Sequence, residues 1–308
     1  MSQSLRLDKL FDVRGRIALV TGGGTGLGWM IAEGLAVNGA RVYITGRRKN
    51  VLEQAAAKFA QENKGDGSVT ARNGLKSVVR LVMDVTDKAS ILAVHDVIKA
   101  QEGRLHILVN NAGIAGPFAT FFNDPSAPEH KDAETLGCAL FDSASFEDWA
   151  NVYTINTFSV YFVTTALLGL LAKGSEDVPG YTSSVINLGS ISGNTKLAQN
   201  KFAYNSTKSA TTHLTKMLST EFALKKIPIR VCSVAPGVFP SELTDPIITP
   251  DLVEKHANGI IPVPMGRAGT AQEMAGTVIY LVSPAGCYTT GEEILTDGGY
   301  IAVNPSMR

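Results

Sequence analysis

Residues 16–21 (RIALVT) form a short apolar run that enters a glycine cluster at 22–28 and leaves it through 29–37, where the apolar residues fall at helical spacing. Such a pattern reads as strand, turn and helix. The alternation repeats down the chain, with strands predicted at 41–45, 78–82, 106–110, 184–188, 229–234 and 293–296. Helices are predicted at 51–61, 88–101, 146–173, 202–225 and 272–282. Near-continuous Val/Ile/Leu strands between amphipathic helices require parallel strands covered on both faces. The expected fold is therefore α/β, a doubly wound sheet of about seven parallel strands with helices on both faces. A length of 308 residues at roughly 150 per domain would suggest two domains. The unbroken alternation instead predicts one domain over 1–308, with surface-loop expansions at 63–77, 115–145 and 174–182, all rich in Gly, Pro, Ser or charge.

Composition removes several classes of function. With 28 Lys+Arg against 28 Asp+Glu and no long basic block, the chain lacks the clustered cations that nucleic-acid binding requires. Cys138, Cys232 and Cys287 are odd in number and widely spaced, which fits neither a disulfide framework nor a zinc site. His95, His106, His130, His213 and His256 are scattered as well, so no metal centre is expected. Charged residues interrupt 1–16, and the most apolar stretch, 158–172, falls short of the roughly 20 residues needed to span a membrane. The expected setting is a reduced cytoplasmic one with no membrane partner.

The cluster Thr21-Gly22-Gly23-Gly24-Thr25-Gly26-Leu27-Gly28 sits between the first strand and the first helix, where a dinucleotide's pyrophosphate would meet backbone N–H groups and a positive helix end. Its T-G-x-x-x-G-x-G spacing resembles the short-chain dehydrogenase/reductase family. So do Asn110-Asn111-Ala112-Gly113 after the fourth strand, Tyr204-x-x-x-Lys208, Pro236-Gly237 after the sixth strand, and Asp297-Gly298-Gly299 near the C-terminus. The resemblance covers nearly the whole chain and implies a Rossmann fold with a nicotinamide cofactor. It assigns cofactor contacts to Gly22, Thr25, Gly26, Leu27, Gly28, Asn111, Ala112, Gly113, Tyr204, Lys208, Pro236, Gly237 and Val238. It also implies that Asp84 and Val85 flank the adenine and that Ser241, where a threonine is more usual, meets the carboxamide.

Cofactor choice turns on the end of the second strand, where a carboxylate would bond the ribose 2′-OH of NAD and repel the 2′-phosphate of NADP. Gly46 stands there, followed by Arg47 and Arg48. A guanidinium binds phosphate as a charged fork, so NADP(H) is expected, with Arg47 as the phosphate partner.

A tyrosine and a lysine four apart on a helix share one face. An ammonium beside a phenol favours the phenolate, which suits Tyr204 to exchange a proton with a carbonyl or alcohol oxygen. The resemblance implies that Lys208 also holds the nicotinamide ribose, that Ser190 bonds the reacting oxygen, and that Asn156 anchors a water in a proton relay. Ser190 lies 14 residues before Tyr204, one more than the family's usual spacing, which leaves Ser192 as an alternative. The expected activity is NADP(H)-dependent reduction of a ketone or oxidation of a secondary alcohol. The other readings are reduction of a conjugated C=C bond and a catalytically idle dinucleotide-binding protein. Phe118, Phe121 and Phe122 and the stretch 239–261 are the candidates for the substrate side, hinting at an apolar or aromatic ketone. Relatives commonly assemble through two long helices, here 146–173 and 202–225, so a homodimer or homotetramer is expected.

Overall fold

The computed structural model describes residues 5–64, 77–245 and 247–307. A short helix α1 (Leu7–Leu10) precedes β1 (Ile17–Thr21), buried along its whole length, which leads through the glycine turn into α2 (Gly26–Val37). Then follow β2 (Arg41–Gly46), α3 (Lys49–Glu62), β3 (Val78–Val82), α4 (Lys88–Gln101) and β4 (Ile107–Asn110). The next stretch contains α5 (Ala133–Asp142), α6 (Phe146–Tyr153), α7 (Ser159–Ala166) and α8 (Leu168–Glu176). The chain closes with β5 (Ser183–Leu188), α9 (Phe202–Leu224), β6 (Ile229–Pro236), α10 (Pro250–Ala257), α11 (Ala271–Val282), β7 (Glu293–Thr296) and α12 (Tyr300–Val303). All seven strands join one sheet in the order β3-β2-β1-β4-β5-β6-β7, and every pairing is parallel.

Successive strand residues point to opposite faces, so each strand feeds two cores. Ala18 and Val20 of β1 pack with Ile31 and Leu35 of α2 and Val278 of α11. Leu19, between them, packs on the other face with Ile98 of α4, Leu171 of α8 and Phe222 of α9. Burying such a side chain contributes roughly 1.5–3 kcal/mol, so the continuous apolar strands supply the driving force for the layered fold. In the edge strand β3 only Val78 is buried; Val79 and Leu81 are partly covered, and Arg80 and Val82 are exposed. From β1 the chain winds outward to β3 and then returns to β4 beside β1. This reversal opens a crevice at the carboxyl ends of β1 and β4, the place where ligands bind in open parallel sheets.

The predicted elements recur within a few residues at their ends; the short helices α1, α10 and α12 were not predicted, and two larger differences stand beside them. The helix predicted over 146–173 is not continuous: a π-helical turn, Thr154–Phe158, separates α6 from α7, and a 54° bend separates the α6–α7 run from α8. The π turn has a local cause. Thr211 of α9 donates to the Asn156 carbonyl (2.9 Å) and the Thr157 hydroxyl donates to the Thr207 carbonyl (3.1 Å), which pulls this turn away from regular i→i−4 pairing. The segment 115–145, predicted as surface loop, folds a 3₁₀ turn at Pro128–His130 and the whole of α5, whose first turn is capped by Asp132 accepting from the Thr135 N–H (2.8 Å). Most of the predicted loop 63–77 lies outside the described residues, and α8 runs two residues beyond Gly174 into the predicted loop 174–182. Among the described residues, no single helix is long and apolar enough to cross a membrane.

Candidate active site

One cleft of about 270 Å³ runs along the carboxyl ends of the strands, from the end of β2 to the N-terminal half of α9. At its nucleotide end the β1–α2 turn is held open by Thr21. Its hydroxyl accepts from the backbone N–H groups of Asn111 and Ala112 (both 3.0 Å). The Asn111 side chain in turn donates to the carbonyls of Thr21 (2.9 Å) and Gly22 (3.0 Å). Gly22 adopts φ +62°, and a Cβ there would stand 2.9 Å from the Asn111 amide nitrogen. Only glycine fits both constraints. The first turn of α2 carries no acidic residue, and Thr25 does not cap it with its side chain. Free N–H groups and the positive helix end therefore face the cleft, which suits them to hold a diphosphate.

Gly22, Thr25, Gly26, Leu27, Arg47, Asp84, Val85, Asn111, Ala112, Gly113, Tyr204, Lys208 and Ser241 all line this cleft. Gly28, Pro236, Gly237 and Val238 do not. A Cβ on Gly28 would run into the Gly22 carbonyl, so this glycine lets the helix pack against the turn. Gly237 lets the end of β6 approach Asp297, whose Cα would lie 2.7 Å from an added Cβ. Asp297 in turn accepts from the N–H groups of Gly299 and Ile301, fixing the start of α12. Val238 packs in a small core with Val253 and Tyr300. These four positions shape the cleft from behind.

Beyond Gly46, Arg48 is committed: it pairs with Glu242 (2.6 Å), whose carboxylate also accepts from the Thr25 hydroxyl (3.1 Å). These hydrogen bonds hold the Glu242 carboxyl below its usual range. The contact spans the cleft mouth, joining the loop after β6 to the β2–α3 and β1–α2 turns. Arg47 lines the cleft, makes no ion pair among the described residues, and contributes to holding the Asp84 carboxyl low. Its guanidinium is the one left available to a phosphate.

The inner end holds the candidate catalytic groups. Tyr204 and Lys208 share a face of α9, with the Lys208 Nζ 5.6 Å from the tyrosine ring centre. Lys208 is buried and its Nζ donates to the Leu188 carbonyl (2.8 Å) at the end of β5. Burial without a carboxylate pushes its ammonium down to about 8. Burial pushes the Tyr204 phenol up, while a hydrogen bond with the Ser190 hydroxyl acts in the opposite sense. Ser190 lies two residues beyond β5 and caps the turn that follows, accepting from the Ser192 N–H (3.1 Å). Ser192 is engaged elsewhere, donating to Gln199 (2.6 Å), which itself donates to the Ala257 carbonyl and the Tyr300 hydroxyl. The geometry thus puts Ser190, not Ser192, against the tyrosine.

Asn156 is buried in the π turn, and its side chain is fully used. Its oxygen accepts from the Ile114 N–H, and its amide donates to the Ile114 carbonyl (both 2.9 Å) and to the Thr207 hydroxyl (3.1 Å). It ties the segment after β4 to the helix that carries Tyr204. Sequence reasoning gave Asn156 a role but gave none to Thr207 or Gln199, and quoted Thr21 only as part of the glycine motif; all three hold the site together. Among the aromatic residues near the N-terminus of α9, Phe118, Phe141, Phe146, Trp149 and Phe202 line a separate apolar groove of about 720 Å³. Phe122 packs edge-on against Phe202 at 5.0 Å, and Phe121 offers its carbonyl to His130, so these two brace the segment. No group of three metal-ligating side chains occurs among the described residues.

A parallel sheet with an anion-binding turn at one end of its crevice and a phenol–ammonium pair at the other defines a dinucleotide-binding oxidoreductase. Comparison with known proteins makes the class specific. A family profile described as enoyl-(acyl carrier protein) reductase matches residues 22–301. The chain is 35% identical to the short-chain dehydrogenase/reductase VdtF of Byssochlamys spectabilis, over 99% of this chain and 98% of that one. It is 34% identical to a rhamnolipids biosynthesis 3-oxoacyl-[acyl-carrier-protein] reductase of Pseudomonas aeruginosa (94% and 98%) and 30% identical to an NADP-dependent (R)-specific alcohol dehydrogenase of Lentilactobacillus kefiri (94% and 98%). Among solved structures, the Pseudomonas aeruginosa RhlG/NADP active-site complex superposes with a TM-score of 0.76 at 32% identity, covering 95% of this chain and 98% of that one. The chain belongs to the short-chain dehydrogenase/reductase family, whose members are nicotinamide-dependent oxidoreductases.

Proposed function

We propose that the protein is an NADP(H)-dependent carbonyl reductase or alcohol dehydrogenase in which Tyr204 is the general acid/base. The observation that carries this reading is the pairing of Tyr204 and Lys208 in the lining of the cleft's inner end, with the buried Ser190 hydroxyl hydrogen-bonded to the phenol. The dinucleotide supplies or accepts the hydride at its nicotinamide ring. Ser190 and Tyr204 present two hydroxyls to one oxygen, which suits a carbonyl or an alcohol. The Tyr204 phenol gives its proton to the carbonyl oxygen in reduction, or takes one from the hydroxyl in oxidation. Lys208 favours the phenolate and reaches the side of the cleft where a ribose would lie, and Asn156 keeps α9 in register with the segment after β4.

Three observations support NADP(H) over NAD(H): no acid ends β2, Arg47 is unpaired at the cleft, and relatives include an NADP-dependent enzyme and an NADP complex. Arg47 is read as the 2′-phosphate partner. The apolar groove beside the N-terminus of α9 and the 3-oxoacyl relative favour a ketone with an apolar or aromatic body. The same reading has the chain assemble as a homodimer or homotetramer, supported by Phe158, Tyr161 and Phe162 on the π turn and α7 and Met217 on α9, which remain exposed. Light scattering at the monomer mass would remove that part.

The test is a panel of apolar ketones and matched enones, followed by NADPH absorbance loss. Turnover of ketones with carbonyl reduction is expected. Turnover confined to the enones, with the C=C bond reduced, or none with either class, overturns the reading.

A further inference from the structure

A second lysine stands at the catalytic tyrosine. The Lys201 Nζ lies 5.7 Å from the centre of the Tyr204 ring, nearly the same distance as the Nζ of Lys208 (5.6 Å). Lys201 is half-buried and its ammonium has neither an ion pair nor a hydrogen bond among the described residues. Burial lowers its affinity for the proton, with no carboxylate offsetting that effect. A long cationic side chain is more commonly found in solvent or paired.

The turn that places it is firmly fixed. Gln199 (φ +52°) and Asn200 (φ +60°) both adopt the left-handed conformation that non-glycine residues seldom take. Gln199 is held by Ser192, Ala257 and Tyr300, and Asn200 by the N–H groups of Ala119 and Asn123. Such conformations persist where surrounding contacts over-determine them, and they cluster at functional sites.

The charged surroundings leave one group for this ammonium to act on. Tyr204 faces Lys201 from the N-cap just before its helix, Lys208 from the helix itself, and the uncharged Ser190 from the turn after β5. Gly113, Ile114, Ile155, Leu188 and Gly189, which share the inner end of the cleft, carry no charge, while Arg47, Arg48, Asp84 and Glu242 belong to its nucleotide end. In the segment after β6, Asp245 is paired with His256 (2.8 Å) and Glu254 accepts from the Val263 N–H. The Tyr204 phenol is thus the group beside both lysines that can become an anion.

We infer that Lys201 is a positioning residue that acts through Tyr204: with Lys208 it brackets the ring between two ammonium groups and stabilises the phenolate. The inference rests on Tyr204 being the general acid/base. One charge at this distance in a partly buried site moves a titration by about one pH unit or more.

The test is the pH profile of kcat/KM for a neutral ketone of the panel with NADPH, in wild type, Lys201→Gln and Lys201→Arg. Lys201→Met, of similar reach, serves as a second neutral variant. Reduction needs the protonated phenol and is lost as pH rises through its titration. Both neutral variants should therefore shift that falling limb upward by about one unit, and Arg should restore it. An unmoved limb in a neutral variant that keeps wild-type NADPH affinity, whatever happens to kcat or KM, overturns the inference. Ultraviolet titration of tyrosinate, with Tyr204→Phe as the blank, reads the same shift without substrate. If no ketone is turned over, the carbonyl reading fails, and this titration alone decides the role of Lys201.

Discussion

The surroundings of Tyr204 and the aromatic groove of residues 117–149 are built by opposite means. At the proton-transfer end, Asn156 is 2% exposed, makes three side-chain hydrogen bonds, and sits in a π turn that Thr211 and Thr157 lock against α9. On the flank contributed by 115–149, Phe141 and Phe146 are 83% and 97% exposed, and the groove is lined by aromatic rings with few polar ties. The first region fixes atoms to within hydrogen-bond tolerance, which proton transfer between a phenol and a carbonyl requires. The second offers apolar surface without directional demands, and can change its residues without moving the chemistry. Substitutions in the two regions should therefore fail differently, the first in kcat and the second in selectivity among substrates.

The largest break in this contrast should come from Ser190→Ala. On the proposed function Ser190 bonds the reacting oxygen, and removing its hydroxyl should lower kcat by about 10²–10³-fold. Ser192→Ala should leave kcat within about threefold, because Ser192 is bonded to Gln199 instead. Steady-state kinetics on both variants check the pair, and the reverse ranking would move the role to Ser192. The nucleotide end gives the next effect. If Arg47 holds the 2′-phosphate as proposed, Arg47→Asp removes that charge-assisted bond and adds repulsion, so KM for NADPH should rise about 10- to 100-fold with little change for NADH. Equal effects on both cofactors would break the assignment. The smallest effect is expected on the aromatic flank. Phe141→Ser should alter relative kcat/KM among bulky ketones by about tenfold or less and leave KM for NADPH unchanged. Unchanged selectivity would detach this groove from the substrate.

The same contrast governs what the sequence made legible. Strands such as 17–21 were readable because burial on both faces demands unbroken apolar runs. The glycine turn and the Tyr204/Lys208 pair were readable because their geometry is local, within one turn or one helix face. The π turn was not, because it depends on Thr207 and Thr211 reaching Asn156 and Thr157 across some 50 residues of chain. The helix α5 was overlooked although Asp132 and Thr135 mark its start, because the Pro- and Ser-rich segment before it favoured a loop. The resemblance alone favours Ser190 over Ser192; that Ser192 is bonded to Gln199 while Ser190 faces Tyr204 is visible only in the tertiary structure. The place of Lys201 beside the tyrosine was likewise hidden, since the burial of an ammonium is a property of what packs around it.

The central claim is that Tyr204 moves the proton and that its loss leaves the cofactor cleft intact. The direct measurement compares Tyr204→Phe with wild type in two assays, NADPH affinity by fluorescence titration and ketone turnover. The account predicts affinity within about threefold of wild type and a kcat lower by about 10²–10⁴-fold, the contribution of a positioned general acid. Retained turnover in the phenylalanine variant would contradict it.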